Sequence, residues 1–500
     1  MLQYDEAAHS VGGIFLYRIF VGGLPNVWDY LSSYPAITGS FWFYPYGYSV
    51  LTSVCFPVLG FSELAARLPS FIFSFLIIHA TVCLAKEVEP ENRVSIFSAF
   101  FAAISSMIIV VGSGAMVDVP LVVLTTYSLT FWIRGLKSRK SGDFLRVGIL
   151  GGLASLMKPI GFFVLIFILF FALLMFAFLS DRLFLTRSFW KGVLSGFACF
   201  STWWGSALIV NFIVNGWIGA EAIKGVLYWF NFGGIFGGYI PPWDSPPWYK
   251  IEAWDYYTNV IIYTMGLMPF VFFCVGFLSR LKSKKLQLVD AILTLFSLTF
   301  YILLTFVSNK NPRYIMPILP ILHVYAAIGL NSIYTGFNGE RDPLDLTDFR
   351  RLKRAVTLII IAVTMINGFL PLQRAITANH VPGKTYGFNS PVKDCLRIVM
   401  NDGESGLLLI DSEDNLFNAP VITFYLAAVD QNGRYGCHLS PSEPQEILNL
   451  TLGGKKVRYV LIRDLNSSVG RYVCAHPELF MFLGKVESDY INIHIYKVKD

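Results

Sequence analysis

Charge is the first thing this chain is short of. Only 14% of its 500 residues are Asp, Glu, Lys or Arg, while 55% are hydrophobic; soluble domains carry roughly 25% charged residues. That balance excludes an ordinary water-soluble enzyme and points to a chain that crosses a membrane many times. Patterned cysteine is also missing. The seven Cys show no C-x-x-C spacing, which leaves zinc and redox readings weak. Cys55, Cys83, Cys199 and Cys274 lie in or beside apolar segments, where they read as small hydrophobes. Cys395, Cys437 and Cys474 lie in a more polar tail and admit at most one disulfide. No basic stripe interleaved with aromatics appears, so nucleic acid is not an expected partner. Internal repeats and low-complexity segments are absent too.

What is present is a series of apolar runs near or above the roughly 18 residues that span a bilayer. They fall at about 64–84, 94–112, 115–133, 160–180, 189–213, 258–278, 289–307, 312–334 and 355–372, with a shorter one at 146–159. The loops between them sort by charge. "RGLKSRKSGDFLR" (134–146), "DRLFLTRSFWK" (181–191), "SRLKSKK" (279–285) and "RRLKR" (350–354) are rich in Lys and Arg, and such loops stay on the cytoplasmic face. The alternate loops are poor in basic residues, so they and both ends of the chain are expected outside. The sequence thus divides into an external segment with interfacial helices (1–63), a transmembrane domain of about ten helices (64–372) and an extracytoplasmic domain (373–500).

The last segment alternates short β-rich runs, "GLLLID", "VRYVLIRD" and "INIHIYKV", with helical patterns such as "PVKDCLRIVMND", the signature of a small α/β domain. Its "NLT" and "NSS" acceptor triplets mildly favour an external position. Residues 7–62 are rich in Trp, Tyr and Phe and interrupted by Gly and Pro. They read as short helices in the membrane interface, a shelf on which a protein meets a lipid headgroup and a water-soluble molecule together.

The chemistry is expected at the outer face. Asp5 and Glu6 open the chain, and taken alone are a solvated acidic pair. Asp118 sits at the outer end of a span, where an ionisable group is costly and marks a functional site; its bland reading is a helix cap, given Pro120 just behind it. Lys158, at an outer junction between two apolar runs, either snorkels to the interface or holds a phosphate or carboxylate. Lys310, Arg313 and Arg67 are further outer cations, usually anchors when single. Together these groups suit a reaction at a lipid phosphate. A carboxylate can act as base on an acceptor hydroxyl or help hold a divalent cation, and Lys or Arg can stabilise a phosphate leaving group.

Six segments in order resemble the GT-C superfamily of integral-membrane glycosyltransferases, in the branch of protein O-mannosyltransferases and aminoarabinose transferase. They are the Asp5-Glu6 pair, "WFYPYGYSVL" (42–51), "SELAARLPSFIFSFL" (62–76), "VDVPLVVLTTYSLTFW" (117–132), "GLASLMKPIGFFVL" (152–165) and "NPRYIMPILPIL" (311–322). The resemblance implies a GT-C-like bundle with interfacial helices in the first external loop. It implies transfer of a sugar from a polyprenyl phosphate donor to a protein, lipid or glycan acceptor on the outer face, with inversion. Asp5 would then be the catalytic carboxylate, supported by Glu6. Asp118 would be a second carboxylate near the acceptor or metal, and Lys158, Arg313, Lys310 and Arg67 would face the donor phosphate. Members differ in metal dependence, so no cofactor is implied outright and a divalent cation on Asp5 and Asp118 stays open. The family also carries a helix ahead of its acidic pair, which is expected upstream of these residues, and Tyr46 and Pro159 depart from its motifs. The alternative from the residues alone is a polytopic lipid or solute transporter or flippase, which would more often show related halves.

Overall fold

A computed structural model of the chain describes residues 4–22, 45–179, 186–215, 249–282, 287–306, 310–336, 391–411, 418–430, 434–441, 443–452, 454–487 and 492–499. It forms two compact units. One comprises Met1–Pro69, Gly114–Met116 and Ile376–Asp500; the other comprises Ser70–Ser113 and Val117–Ala375. Among the described residues, five helices are long and apolar enough to cross a membrane, or up to seven when each of two bent pairs counts as one span. The chain is an integral, multi-pass membrane protein.

The second unit is helical. Its elements include α3 (Glu63–Val88, which begins in the first unit), α4 (Asn92–Ala103), α5 (Ser106–Gly112), α6 (Asp118–Ser138), α7 (Ser141–Met157), α8 (Phe162–Leu179) and α9 (Arg187–Asn215), followed by α10 (Ile251–Met265), α11 (Leu267–Lys282), α12 (Leu288–Phe306) and α13 (Leu319–Gly336). Two of the expected spans are broken. The run at 94–112 becomes α4 and α5, bent by 53°, and the run at 258–278 becomes α10 and α11, bent by 108°. The second break falls at Gly266, whose φ of 83° lies in a region that glycine enters without steric cost. The span expected at 355–372 lies outside the described residues.

Small residues let these helices touch backbone to backbone, as membrane helices do when no hydrophobic force separates protein from lipid. A Cβ added at Gly148 of α7 would stand 1.7 Å from the Gly192 carbonyl oxygen of α9, and one at Gly276 of α11 would stand 2.0 Å from the Tyr325 carbonyl oxygen of α13. Burial then grades the bundle. The apolar windows of Asp118–Ser138 and Pro312–Thr335 are 83% and 94% buried, against 39% for Glu63–Val88. The helices that carry Asp118 and Arg313 are therefore interior ones.

Among the described residues of the first unit, those expected to form short interfacial pieces give two helices, α1 (Tyr4–Gly22) and α2 (Gly47–Leu59). Ala7, Ala8, Val11, Ile14 and Phe15 of α1 are buried, and the Ser49 hydroxyl donates to the His9 carbonyl at 2.9 Å. The rest of the unit is the expected α/β domain. It holds α14 (Pro391–Asp402), β1 (Gly406–Asp411), α15 (Ala419–Val429), β2 (Tyr435–Leu439), β3 (Thr451–Leu452), β4 (Lys455–Ile462), α16 (Ser468–Ala475), β5 (Phe480–Glu487) and β6 (Asn492–Val498). The sheet order is β2-β1-β4-β6-β5, with β3 pairing β4. β1 runs parallel to β2 and β4, while β6 is antiparallel to β4 and β5. Leu407, Leu409, Val460, Ile462, Val469 and Val473 fill its core. All seven cysteines are free thiols, so the disulfide that the tail admitted is not formed.

Glu63, which no sequence motif marks out for a role, joins the pieces of this unit. It accepts from the buried Tyr425 hydroxyl at 2.7 Å and lies 3.5 Å from the Lys393 ammonium. Lys393 is exposed enough that its pairing adds little, whereas the Tyr425 bond leaves a buried hydroxyl unsatisfied when lost. Glu63→Ala is expected to loosen the α/β domain by on the order of 1 kcal/mol. The rate at which protease first cuts that domain in membranes should rise about fivefold, and an unchanged rate would remove Glu63 from this role.

Candidate active site

Three of the residues singled out in the sequence meet. The Lys158 ammonium donates to Asp118 Oδ1 at 2.7 Å, and Arg313 Nε lies 3.5 Å from Asp118 Oδ2. The side chains of Asp118, Lys158 and Arg313 are 2%, 6% and 17% exposed, so the cluster is shielded and its charges interact far more strongly than in water.

Local sequence explains each placement. Asp118 is the first residue of α6, one place inside the capping position held by Val117, and its carboxylate faces Lys158 and Arg313. The bland reading of Asp118 as a cap is therefore not what its side chain does, although a carboxylate in a first turn is favoured by the helix dipole. Lys158 follows α7 in an extended conformation, φ −155° and ψ 140°. Pro159 behind it disfavours the helical region for Lys158 and begins a single 3-10 turn, Pro159–Gly161. The proline that departs from the family motif thus ends α7 and turns the lysine towards Asp118. Gly161 is required beside it, since a Cβ there would lie 2.3 Å from Ala154 backbone atoms. Arg313 sits in a 3-10 helix, Pro312–Ile318, opened by Asn311, whose side chain accepts from the Arg313 backbone N–H.

Tyr314, quoted in the same motif but given no role, stands over this arrangement. The Lys158 ammonium lies 4.1 Å from its ring centroid, a cation–π contact that a desolvated lysine gains strongly from. Adjacency to Arg313 was the one signal for it. The other sequence candidates have different partners. Lys310 donates to the Thr305 carbonyl at 2.8 Å, and Arg67 lies 4.0 Å from Glu63 one turn earlier on α3. Asp5 and Glu6 fall on the first turn of α1, but their side chains lie outside the described residues.

Among the described residues no group of three His, Cys, Asp or Glu side chains is placed to hold a metal ion. Lys158 and Arg313 would compete with a cation for the Asp118 carboxylate.

Burial pushes the Lys310 ammonium down to about 8. Between that value and the ordinary lysine value near 10.4 the unfolded chain binds more protons than the folded one, so stability rises with pH across this window. Below it both states are protonated and the burial penalty on the charge is full. Lys310→Met is expected to flatten the stability profile between about pH 8 and 10. A slope that persists in this variant would assign the titration elsewhere.

Comparison with known proteins agrees with this picture. The dolichyl-phosphate-mannose-protein mannosyltransferase family matches residues 44–205, and the Alg9-like mannosyltransferase family matches residues 244–381. No curated protein is significantly similar in sequence. Among solved structures, ArnT from Cupriavidus metallidurans bound to undecaprenyl phosphate has a TM-score of 0.65 at 13% identity, covering 99% of this chain and 94% of that one. The apo state of the same protein gives 0.63 at 14% identity, covering 98% and 93%. The fold and the two family matches uphold the resemblance to the GT-C glycosyltransferases read from the sequence, and both matched families are glycosyltransferases, the class to which this membrane enzyme is assigned.

Proposed function

We propose that the chain transfers a sugar from a polyprenyl phosphate donor to an acceptor hydroxyl on the extracytoplasmic face, inverting the anomeric carbon. The observation that carries this reading is the convergence of Lys158 and Arg313 on Asp118 in the shielded part of the bundle. A buried carboxylate there holds two cations in register, and cations so held stabilise a phosphate as its charge develops in the transition state. The undecaprenyl phosphate bound by ArnT, which shares this fold, supports a donor of that class, as does the match to a family described by a dolichyl phosphate donor.

In the proposed step the acceptor oxygen attacks the anomeric carbon, the bond from that carbon to the phosphate oxygen breaks, and polyprenyl phosphate leaves. The acceptor proton passes to the Asp5 carboxylate, with Glu6 beside it; Lys158 and Arg313 face the leaving phosphate. Residues 1–63 carry the acidic pair, 64–372 form the membrane domain, and 373–500 lie on the same extracytoplasmic side.

The test is release of polyprenyl phosphate by the chain in bilayers, across a panel of polyprenyl phosphate sugars and with or without divalent cation. Release from one donor is expected, with a raised KM for Lys158→Ala. No release from any donor by folded protein would favour a transporter, and unchanged donor affinity in Lys158→Ala would return that residue to an interfacial anchor.

A further inference from the structure

Asp118 and the basic loop after α6 occupy opposite ends of one spanning helix. From Asp118 to Arg134 the helix rises about 24 Å, so this loop belongs to the other face of the membrane and to a different chemistry. "RGLKSRKSGDFLR" holds Arg134, Lys137, Arg139, Lys140 and Arg146 against the single carboxylate of Asp143. Most basic loops of membrane proteins are diffuse charge. This one is built into a hollow of about 550 Å³ lined by Arg134, Lys140, Ser141, Gly142, Asp143 and Arg146.

Two features give the hollow a fixed shape. The Arg134 and Arg146 guanidinium carbons stand 5.3 and 5.1 Å from the centroid of the same ring, Phe131. Arg134 is also held by Glu87 at 2.8 Å and Arg146 by Asp143 at 3.3 Å. Stacking and pairing of this kind restrain the planar forks that recognise phosphate in a bidentate manner. Asp143 itself is anchored by the Ser138 hydroxyl at 3.0 Å. The hollow also contains Ser141 and Gly142, the first residues of the 17-residue helix α7, and a Cβ built on Gly142 meets nothing within 4 Å, so this edge is open.

The surroundings are those of a lipid rather than of a soluble anion. Leu145 and Ile149, on α7 beside Arg146, are exposed apolar side chains, and so is Leu194 of α9. Trp190, on the α9 turn next to Gly192, is exposed, and Gly192 lies against the Phe144 carbonyl of α7. Tryptophan so placed marks the headgroup level of a bilayer. Cations at that level next to an exposed apolar strip match an amphiphile with an anionic head and acyl tails.

We propose that the hollow lined by Arg134, Lys140, Ser141, Gly142, Asp143 and Arg146 binds the phosphate headgroup of an anionic glycerophospholipid, whose tails lie along Leu145 and Ile149. The site is separate from the sugar donor and stands whether or not the proposed transfer reaction does.

The experiment places the full chain in nanodiscs of phosphatidylcholine with graded phosphatidylglycerol and follows retained phosphatidylglycerol by native mass spectrometry. Each cation near a membrane surface contributes on the order of 1 kcal/mol to binding anionic lipid, about fivefold. Lys140→Gln with Arg146→Gln should therefore raise the phosphatidylglycerol fraction needed for half retention by roughly 25-fold. Gly142→Glu, which disturbs no packed neighbour, should raise it at least several-fold and covers the case in which the double variant fails to fold. Lys282→Gln, at an exposed basic position on α11, should leave it unchanged. Equal losses in Lys282→Gln would overturn the site in favour of diffuse attraction. Displacement of the lipid by millimolar inorganic phosphate would overturn the lipid in favour of a soluble anion. Retention unaltered by both hollow variants would overturn the proposal outright.

Discussion

Replacing Asp5 by Asn is expected to lower glycosyl transfer by about a thousandfold, while leaving the protein folded and inserted. Removal of a general base costs typically 10²–10⁴ in rate, and an amide cannot accept the acceptor proton. The effect should fall on kcat, since the base acts on the acceptor hydroxyl and does not bind the lipid phosphate. Only the acidic partner changes, so donor affinity is expected to stay within a few-fold. Stability should hold as well, because Asp5 is on the first turn of α1 and an Asn there keeps the side-chain volume. The measurement is single-turnover release of polyprenyl phosphate together with a thermal unfolding curve. A native rate in a folded Asp5→Asn protein would end the assignment of Asp5 as base.

The second large effect concerns Asp118. Asp118→Ala leaves Lys158 and Arg313 buried without their shared carboxylate, and stripping one partner from a buried ion pair costs about 3–5 kcal/mol. Transfer should fail as well, since two repelling cations will not keep their positions. The informative variant is the double one, Asp118→Asn with Lys158→Met. It removes both the buried carboxylate and the buried ammonium, and such neutral replacements are often close to the native stability. Stability is therefore expected to recover part of the loss, since Arg313, at 17% exposure, still lacks the Asp118 carboxylate, with an interaction energy of about 1 kcal/mol or more across the cycle. Activity should stay impaired, with the donor KM raised as in Lys158→Ala, because Lys158 is then absent from the donor phosphate. A double variant that regains both stability and transfer would make the trio purely structural. One that regains neither would show that Asp118 and Lys158 are not coupled.

These two tests also separate the layers of the site. The role of Asp5 rests on its place in the chain and on resemblance, and its side chain lies outside the described residues. That of Asp118, Lys158 and Arg313 rests on the distances between them. Failure of the first prediction with success of the second would move the base to another group while keeping the cationic end of the site.

The residues that the sequence singled out divide by the kind of signal each carries. Low charge and long apolar runs made the membrane unit legible, since a bilayer tolerates only segments whose backbone groups bond internally. Alternating β-rich and helical runs after residue 373 likewise announced the α/β domain, because period-2 and period-3.6 patterns differ over even short windows. Asp118 and Lys158 were visible as ionisable groups in apolar surroundings, where such groups are rarely idle.

Hydropathy averages over the residues that bend a helix, so it did not show the 108° break between α10 and α11. Nor did it show that residues 7–15 would belong to one helix. Partner choice was equally hidden. Nothing local pairs Glu63 with Tyr425, 362 positions away, nor sets Lys158 between Asp118 and the Tyr314 ring. By itself the sequence determined that the chain crosses a membrane several times, that an α/β domain follows, and which charged residues stand in apolar surroundings. Only the tertiary structure decided which of those charges meet, because a buried ion pair depends on distances between elements far apart in the chain, set by the close glycine-mediated packing of helices.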